Sequence, residues 1–211
     1  ELERFILHRV SELDELVRRC CENFDFHALF TQLHNFCAVE LSSFYFDVRK
    51  DVLYCDAFDD PTRRAARTVL DTLFSCLTAW LAPIICFTAE EAWHTRYPDQ
   101  KETDSVHLRL FPEIPDEWRD DILAKKWQRI RMLRRVVTGA LEIERTAKRI
   151  GSSLAAEAVI YAAQEDHTMF KELDAADIFI TSGARFSDNE APPGAFSLPE
   201  VDDVHVAILP A

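Results

Sequence analysis

Glycine is scarce in this chain. Four glycines (Gly139, Gly151, Gly183 and Gly194) stand isolated among 211 residues. No glycine-rich loop can therefore cradle a phosphate, and turn-dense β architecture is disfavoured. The six cysteines, Cys20, Cys21, Cys37, Cys55, Cys76 and Cys86, include no C-x-x-C pair, and no histidine spacing completes a zinc site. Charged or polar side chains break every apolar run short of the roughly 18 residues a membrane span needs. There is no G-x-S-x-G elbow and no credible Ser/His/Asp order. The N-terminus has no signal-peptide pattern, and a start at Glu1 without an initiator Met fits a piece of something longer.

What is present is apolar residue spacing. The hydrophobic content is 48%, enough for a packed core. Apolar positions three and four apart predict a helix over residues 2–22, ended by Asn23 and Phe24. Asp25 suits the N-cap of a second helix, whose pattern runs from Phe26 to Val48. Residues 51–60 read as a loop. A third helix starts at Pro61 behind Asp59 and Asp60 and runs to Leu81, where Pro83 forces a break. Helical spacing resumes through Trp93, with Thr88 and Glu91 as a capping box, and Pro98 closes it. Residues 98–119 form a proline-containing connector, in which Val106, Leu108 and Leu110 alternate as a short strand or extended segment would. The last long helix spans about Asp120 to Arg149, with Gly151 as its left-handed C-cap. Beyond Gly151 the pattern shortens: strands over 158–163, 178–181 and 204–209, a helix over 165–173, and a loop over 189–199. The predicted fold is mainly α, a bundle of four to five helices over 1–154 followed by a small α+β C-terminal module over 155–211. Cys20, Cys37, Cys76 and Cys86 fall in apolar helical patterns and are expected to be buried thiols.

Charge is distributed unevenly. The chain totals −13 with a pI near 4.9, yet Lys125 to Arg149 holds nine Lys or Arg against Glu142 and Glu144 alone. Two readings compete for this block. It is a solvated bundle face balancing acidic flanks, or it is a surface whose cations release counterions from a nucleic acid. Arg49-Lys50 and Arg63, Arg64 and Arg67 would extend the second, if the bundle brings them to the same side. Among Phe44, Tyr45, Phe46 and Tyr54 at least two should be core, and one can stack on an unpaired base. The candidate binding set is Arg49, Lys50, Arg63, Arg64, Arg67, Lys125, Lys126, Arg129, Lys148 and Arg149. Glu90 and Glu91 point about 100° apart on a helix, so they cannot flank one bond. They read as a capping and an ion-pairing residue. His27 and His34 read as packing or surface residues. No catalytic residue and no metal site emerges.

Four strings, in order, resemble those of bacterial-type isoleucyl-tRNA synthetases. Residues 41–56, LSSFYFDVRKDVLYCD, resemble DLSxFYxDxxKDxLYCD. Residues 80–93, WLAPIICFTAEEAW, resemble LAPILxFTAEEAW; residues 104–108 are DSVHL; and residues 148–154, KRIGSSL, resemble KxIGSSLEA. The resemblance is good over 1–160 and weak over 161–211. Glu40 stands where Asp is frequent, and Arg149 where other residues are common. It implies the helical anticodon-binding domain of a class I aminoacyl-tRNA synthetase and the start of its C-terminal junction. The implied partners are the anticodon stem-loop of tRNA(Ile) and the remaining domains of a cytoplasmic parent enzyme, with no membrane. The HIGH and KMSKS signatures and the editing domain are absent, so ATP and Mg would act in a catalytic domain outside this chain. The cysteine-rich zinc module of many relatives is missing too, so no metal is expected. Alternatives are a valyl, leucyl or methionyl synthetase domain, which LYCD and IGSSL disfavour, or a helical protein-interaction module.

Overall fold

The structure, a computed structural model, describes residues 1–100 and 104–211. Positions 101–103 of the expected connector lie outside the described residues. The architecture is mainly α with a small α+β portion. It divides into two compact units, Glu1–Asp121 and Ile122–Ala211, a boundary earlier than the expected 154/155. The difference arises because the last long helix groups with the module that follows it.

In the first unit, α1 (Leu2–Glu22) buries Leu2, Phe5, Ile6, Val10, Leu13 and Val17 along one stripe. α2 (Phe26–Asn35) begins with the Asp25 side chain accepting from the Ala28 N–H at 3.1 Å. It runs on through a π-helical segment, Phe36–Phe46, into α3 (Asp47–Cys55). The helix thus reaches Cys55, and the expected loop over 51–60 shrinks to the residues after it. α4 (Pro61–Leu81) is capped by Asp60 accepting from the Arg63 N–H at 2.9 Å. After the Pro83 break α5 (Cys86–Arg96) follows. Its N-cap is Ile85, so Thr88–Glu91 is no capping box. α1 packs on α2 and α4, and α4 on α3 and α5. Val106–Leu108 is a 3-10 turn rather than a strand: the Ser105 hydroxyl accepts from the His107 N–H at 3.2 Å and curls the chain. Of the four cysteines expected in the core, Cys20 and Cys76 are buried, Cys37 is half-buried and Cys86 is exposed. Cys86 is exposed because it opens α5, where the stripe has not yet turned inward. Burial, with Asp14 adding its charge, pushes the Cys76 thiol up to about 12.

The second unit is built on α6 (Asp121–Thr146), which buries Leu123, Trp127, Ile130, Leu133, Val136, Val137 and Leu141. Its sheet has strand order β2-β1-β3, with β1 (Ala156–Tyr161) parallel to β2 (Gly183–Ser187) and antiparallel to β3 (His205–Pro210). α7 (Gln164–Met169) and α8 (Ala175–Phe179) lie between β1 and β2 in sequence. The strand expected over 178–181 is instead the end of α8, because Asp174 caps a helix there by accepting from Ala176 and Asp177. That helix carries Ile178 and Phe179 into the core. Its crossover position lets β2 run parallel to β1.

Helix ends show what scarce glycine does. Gly151 is the expected left-handed C-cap of the last long helix, but the left-handed position is Lys148, at φ 57°. Lys148 donates its N–H to Arg145, and Arg149 donates to Glu144, both at 2.9 Å. This is the paired 5→2 and 6→1 closure of a Schellman end. Phe24 after α1 (φ 58°) and Ile180 after α8 (φ 56°) close their helices in the same way. Three side chains thus occupy a conformation natural to glycine.

Candidate nucleic-acid interface

The sequence concentrates nine cations between Lys125 and Arg149, on α6 and just beyond it, and the structure gives most of them internal partners. The Arg129 guanidinium holds both oxygens of the buried Asp166 carboxylate on α7, at 2.8 and 2.7 Å. Those hydrogen bonds, partly offset by desolvation, raise the Arg129 pKa. Arg134 donates to the Ile178 carbonyl at 2.8 Å. Arg135 pairs with Glu200 and Arg145 with Glu142, each at 2.8 Å. Arg149 grips Glu144 through both branches and holds that carboxyl below its ordinary range. Lys126 and Arg131 are not free either. Lys125 and Lys148 are exposed and have no ion-pair partner among the described residues.

The cations of the first unit divide similarly. Arg49 on α3 reaches Glu3 on α1 through two bonds, 2.6 and 3.1 Å, with both side chains largely buried. Lys50 pairs with Asp47 at 3.0 Å. Arg63 donates to the Asp56 carbonyl at 2.5 Å and lies 4.5 Å over the Phe58 ring. These contacts pin the α3–α4 loop from both sides and leave Phe58 78% exposed. Phe44 and Tyr45 are buried, whereas Tyr54 is 86% exposed. Burial, reinforced by Glu3 and opposed by Arg49, holds the Tyr45 hydroxyl well above its usual value.

Arg64 and Arg67 differ from these. Both are exposed, and neither has an ion-pair partner among the described residues. They border an open cleft of about 570 Å³ with Thr68, Leu70, Asp71, Phe74 and Arg96. Arg96, on α5, meets Asp71 at 3.1 Å and lies 5.2 Å over the Tyr97 ring. The floor is firm, since Phe74 stacks on the buried Trp93 with ring centroids 6.3 Å apart. Sequence reasoning missed Arg96. A cation in the last turn of a helix is ordinary, and only the packing of α5 on α4 sets it beside Arg64 and Arg67.

Glu90, read as an ion-pairing residue, holds the segment after α5. It accepts from the Val106 N–H at 2.9 Å and the Ser105 hydroxyl at 3.0 Å, and contacts His94 at 2.8 Å. Among the described residues no group of three or more His, Cys, Asp or Glu is arranged to hold a metal ion. No helix among them is long and apolar enough to cross a membrane.

Exposed arginines without an ion-pair partner among the described residues, set on an α-helical platform, suit the binding of an anion. Residues 3–160 match the family model described as the anticodon-binding domain of tRNA ligase, and the chain belongs to that family. The match crosses the division between the two units and ends inside β1. At finer resolution the chain is similar to proteins named isoleucine–tRNA ligase. It is 53% identical to that of Brucella abortus biovar 1 over 207 residues, 98% of this chain and 21% of the relative. The protein of Agrobacterium fabrum is 52% identical and that of Bartonella henselae 46% identical, over the same shares. The chain therefore spans about a fifth of the length of these relatives.

Proposed function

We propose that this chain binds the anticodon stem-loop of tRNA(Ile) as part of an isoleucine–tRNA ligase. The observation that carries the reading is similarity to isoleucine–tRNA ligases along nearly the whole chain, including residues 161–211, which lie beyond the family model's match. The domain performs no bond-making. It holds the adaptor so that its acceptor end reaches a catalytic domain of the parent enzyme, where ATP and Mg are used, in the cytoplasm. Phosphate contacts fix position and base contacts supply identity.

The proposed contact set is Arg49, Lys50, Arg63, Arg64, Arg67, Lys125, Lys126, Arg129, Lys148 and Arg149. The geometry ranks it. Arg64, Arg67, Lys125 and Lys148 can meet a phosphate without first giving up a partner. Arg49 and Arg129 must keep their carboxylates, so each brings less net charge to RNA.

The test is binding of the 211-residue chain to stem-loops with an isoleucine or a mismatched anticodon, at two salt concentrations. The expected result is tighter binding of the isoleucine stem-loop and a steep loss of affinity as salt rises. Equal binding of all stem-loops would overturn the tRNA(Ile) assignment, and no binding at low salt would overturn RNA binding altogether.

A further inference from the structure

We infer that the α4–α5 cleft seats a phosphodiester of the bound RNA strand between Arg64, Arg67 and Arg96, with Asp71 limiting how tightly it is held. The inference rests on the RNA-binding reading above and adds to it a site, a residue the sequence did not point to, and a brake.

Placement carries it. Arg63, Arg64 and Arg67 all fall in the first two turns of α4, whose first turn has no acidic residue. The positive end of the helix dipole disfavours cations there, and two arginines three residues apart repel each other. Arg63 recovers this through Asp56 and Phe58. Arg64 and Arg67 recover nothing among the described residues, so their charge is left for an external anion.

The surroundings fit that anion. Arg64, Thr68 and Asp71 follow one another on one face of α4, and the Thr68 hydroxyl already donates to the Arg64 carbonyl at 3.0 Å. Three guanidiniums against one carboxylate leave the cleft at +2 in a chain of −13. Leu70 and Phe74 give it an apolar side, on which a ribose or a splayed base can rest beside the phosphate. Among the described residues Asp71 engages only Arg96, through an exposed pair at 3.1 Å that RNA can open. Neutralising Asp71 therefore frees Arg96 and removes the carboxylate that lines the cleft.

The experiment measures binding of a full-length tRNA transcript to the chain across a salt series. Arg64→Ala with Arg67→Ala should weaken binding about tenfold at moderate salt and lower the slope of log affinity against log salt by about 0.7 per phosphate released. Asp71→Asn should tighten binding several-fold. Glu22→Gln, the same charge change at the end of α1, should leave it within twofold. Arg67→Gln alone supplies the readout if the double variant fails to fold. An unchanged slope and affinity in the arginine variants, with wild type still binding, overturns the cleft and spares the RNA reading. Equal gains from Asp71→Asn and Glu22→Gln show bulk charge at work and also overturn it. Loss of binding by wild type itself overturns both. If inorganic phosphate shields the cleft arginines from phenylglyoxal as well as the transcript does, the site belongs to a free phosphate ion, which overturns the RNA assignment.

Discussion

Arg129 and Asp166 form a two-branched ion pair, 2.8 and 2.7 Å, with the carboxylate side chain only 3% exposed. It ties α7 to α6. A cation that stands out in the sequence as a phosphate ligand is thus also a structural clamp. Asp166→Ala should cost about 3 kcal/mol, because it takes from a part-buried guanidinium the carboxylate that holds it through two hydrogen bonds. Urea unfolding followed by far-ultraviolet circular dichroism measures this. A loss below about 1 kcal/mol would mean that water replaces the carboxylate. Reversal of Arg129 to Glu should be worse, since two carboxylates would then face each other. Charge reversal in the basic block therefore tests RNA binding cleanly at exposed Lys125 on α6 and at exposed Lys148 just beyond it.

The left-handed positions predict a stabilisation. Lys148→Gly and Phe24→Gly remove a Cβ from a conformation that resists it, while the Schellman bonds remain. Each should raise stability by about 0.5–1 kcal/mol. Chemical denaturation reads the change. A loss at Lys148 would mean that its stem packs more than its exposure suggests.

Gly139 behaves in the opposite sense. Glycine to alanine inside a helix ordinarily gains about 1 kcal/mol. Here a Cβ would lie 2.6 Å from Cε1 and 2.8 Å from Cζ of Phe196. Phe196 is held by two 2.8 Å backbone bonds to Val206. Gly139→Ala should therefore destabilise by about 1 kcal/mol. The coupling to Phe196→Leu, from a double-mutant cycle, should be favourable because the smaller side chain admits the methyl.

Glu90 sets an acid limb on stability. Desolvation pulls its carboxyl upward, but the Val106 N–H, the Ser105 hydroxyl and His94 outweigh it, and the net pKa lies below the ordinary 4.5. A lowered folded-state value stabilises at pH above the unfolded value, and that contribution disappears as pH falls through the folded one. The wild-type melting temperature should drop on acidification below about pH 4.5. Glu90→Gln should melt lower at neutral pH and show a flatter acid limb. Thermal melts from neutral pH to about pH 3 check both. Parallel acid limbs in the two proteins would remove Glu90 from this role.

Much was legible in the sequence. Apolar spacing located α1, α2, α4, α5 and α6, because a stripe every three to four residues is a local property of a chain that must bury one helix face. Asp25, Asp60 and Pro83 marked ends, since caps and proline act within one turn. The four short strings carried the family, as they encode that same local packing. What failed was equally specific. The strand expected at 178–181 became a helix end because Asp174 caps α8, and Val106–Leu108 curled because the Ser105 hydroxyl took the His107 N–H. The helix running on to Cys55 overrode the loop reading of residues 51–60 over its first five positions.

The sequence by itself determined a helical, acidic chain with a basic block and a family signature, because periodicity, composition and charge are written along the chain. Only the tertiary structure decided which cations remain available. Asp166, Glu200 and Glu3 lie far in sequence from the arginines they pair with, and Arg96 reaches Arg64 and Arg67 only through the packing of α5 on α4. Charge is a sum over residues, but availability depends on which opposite charges the fold brings within hydrogen-bond reach.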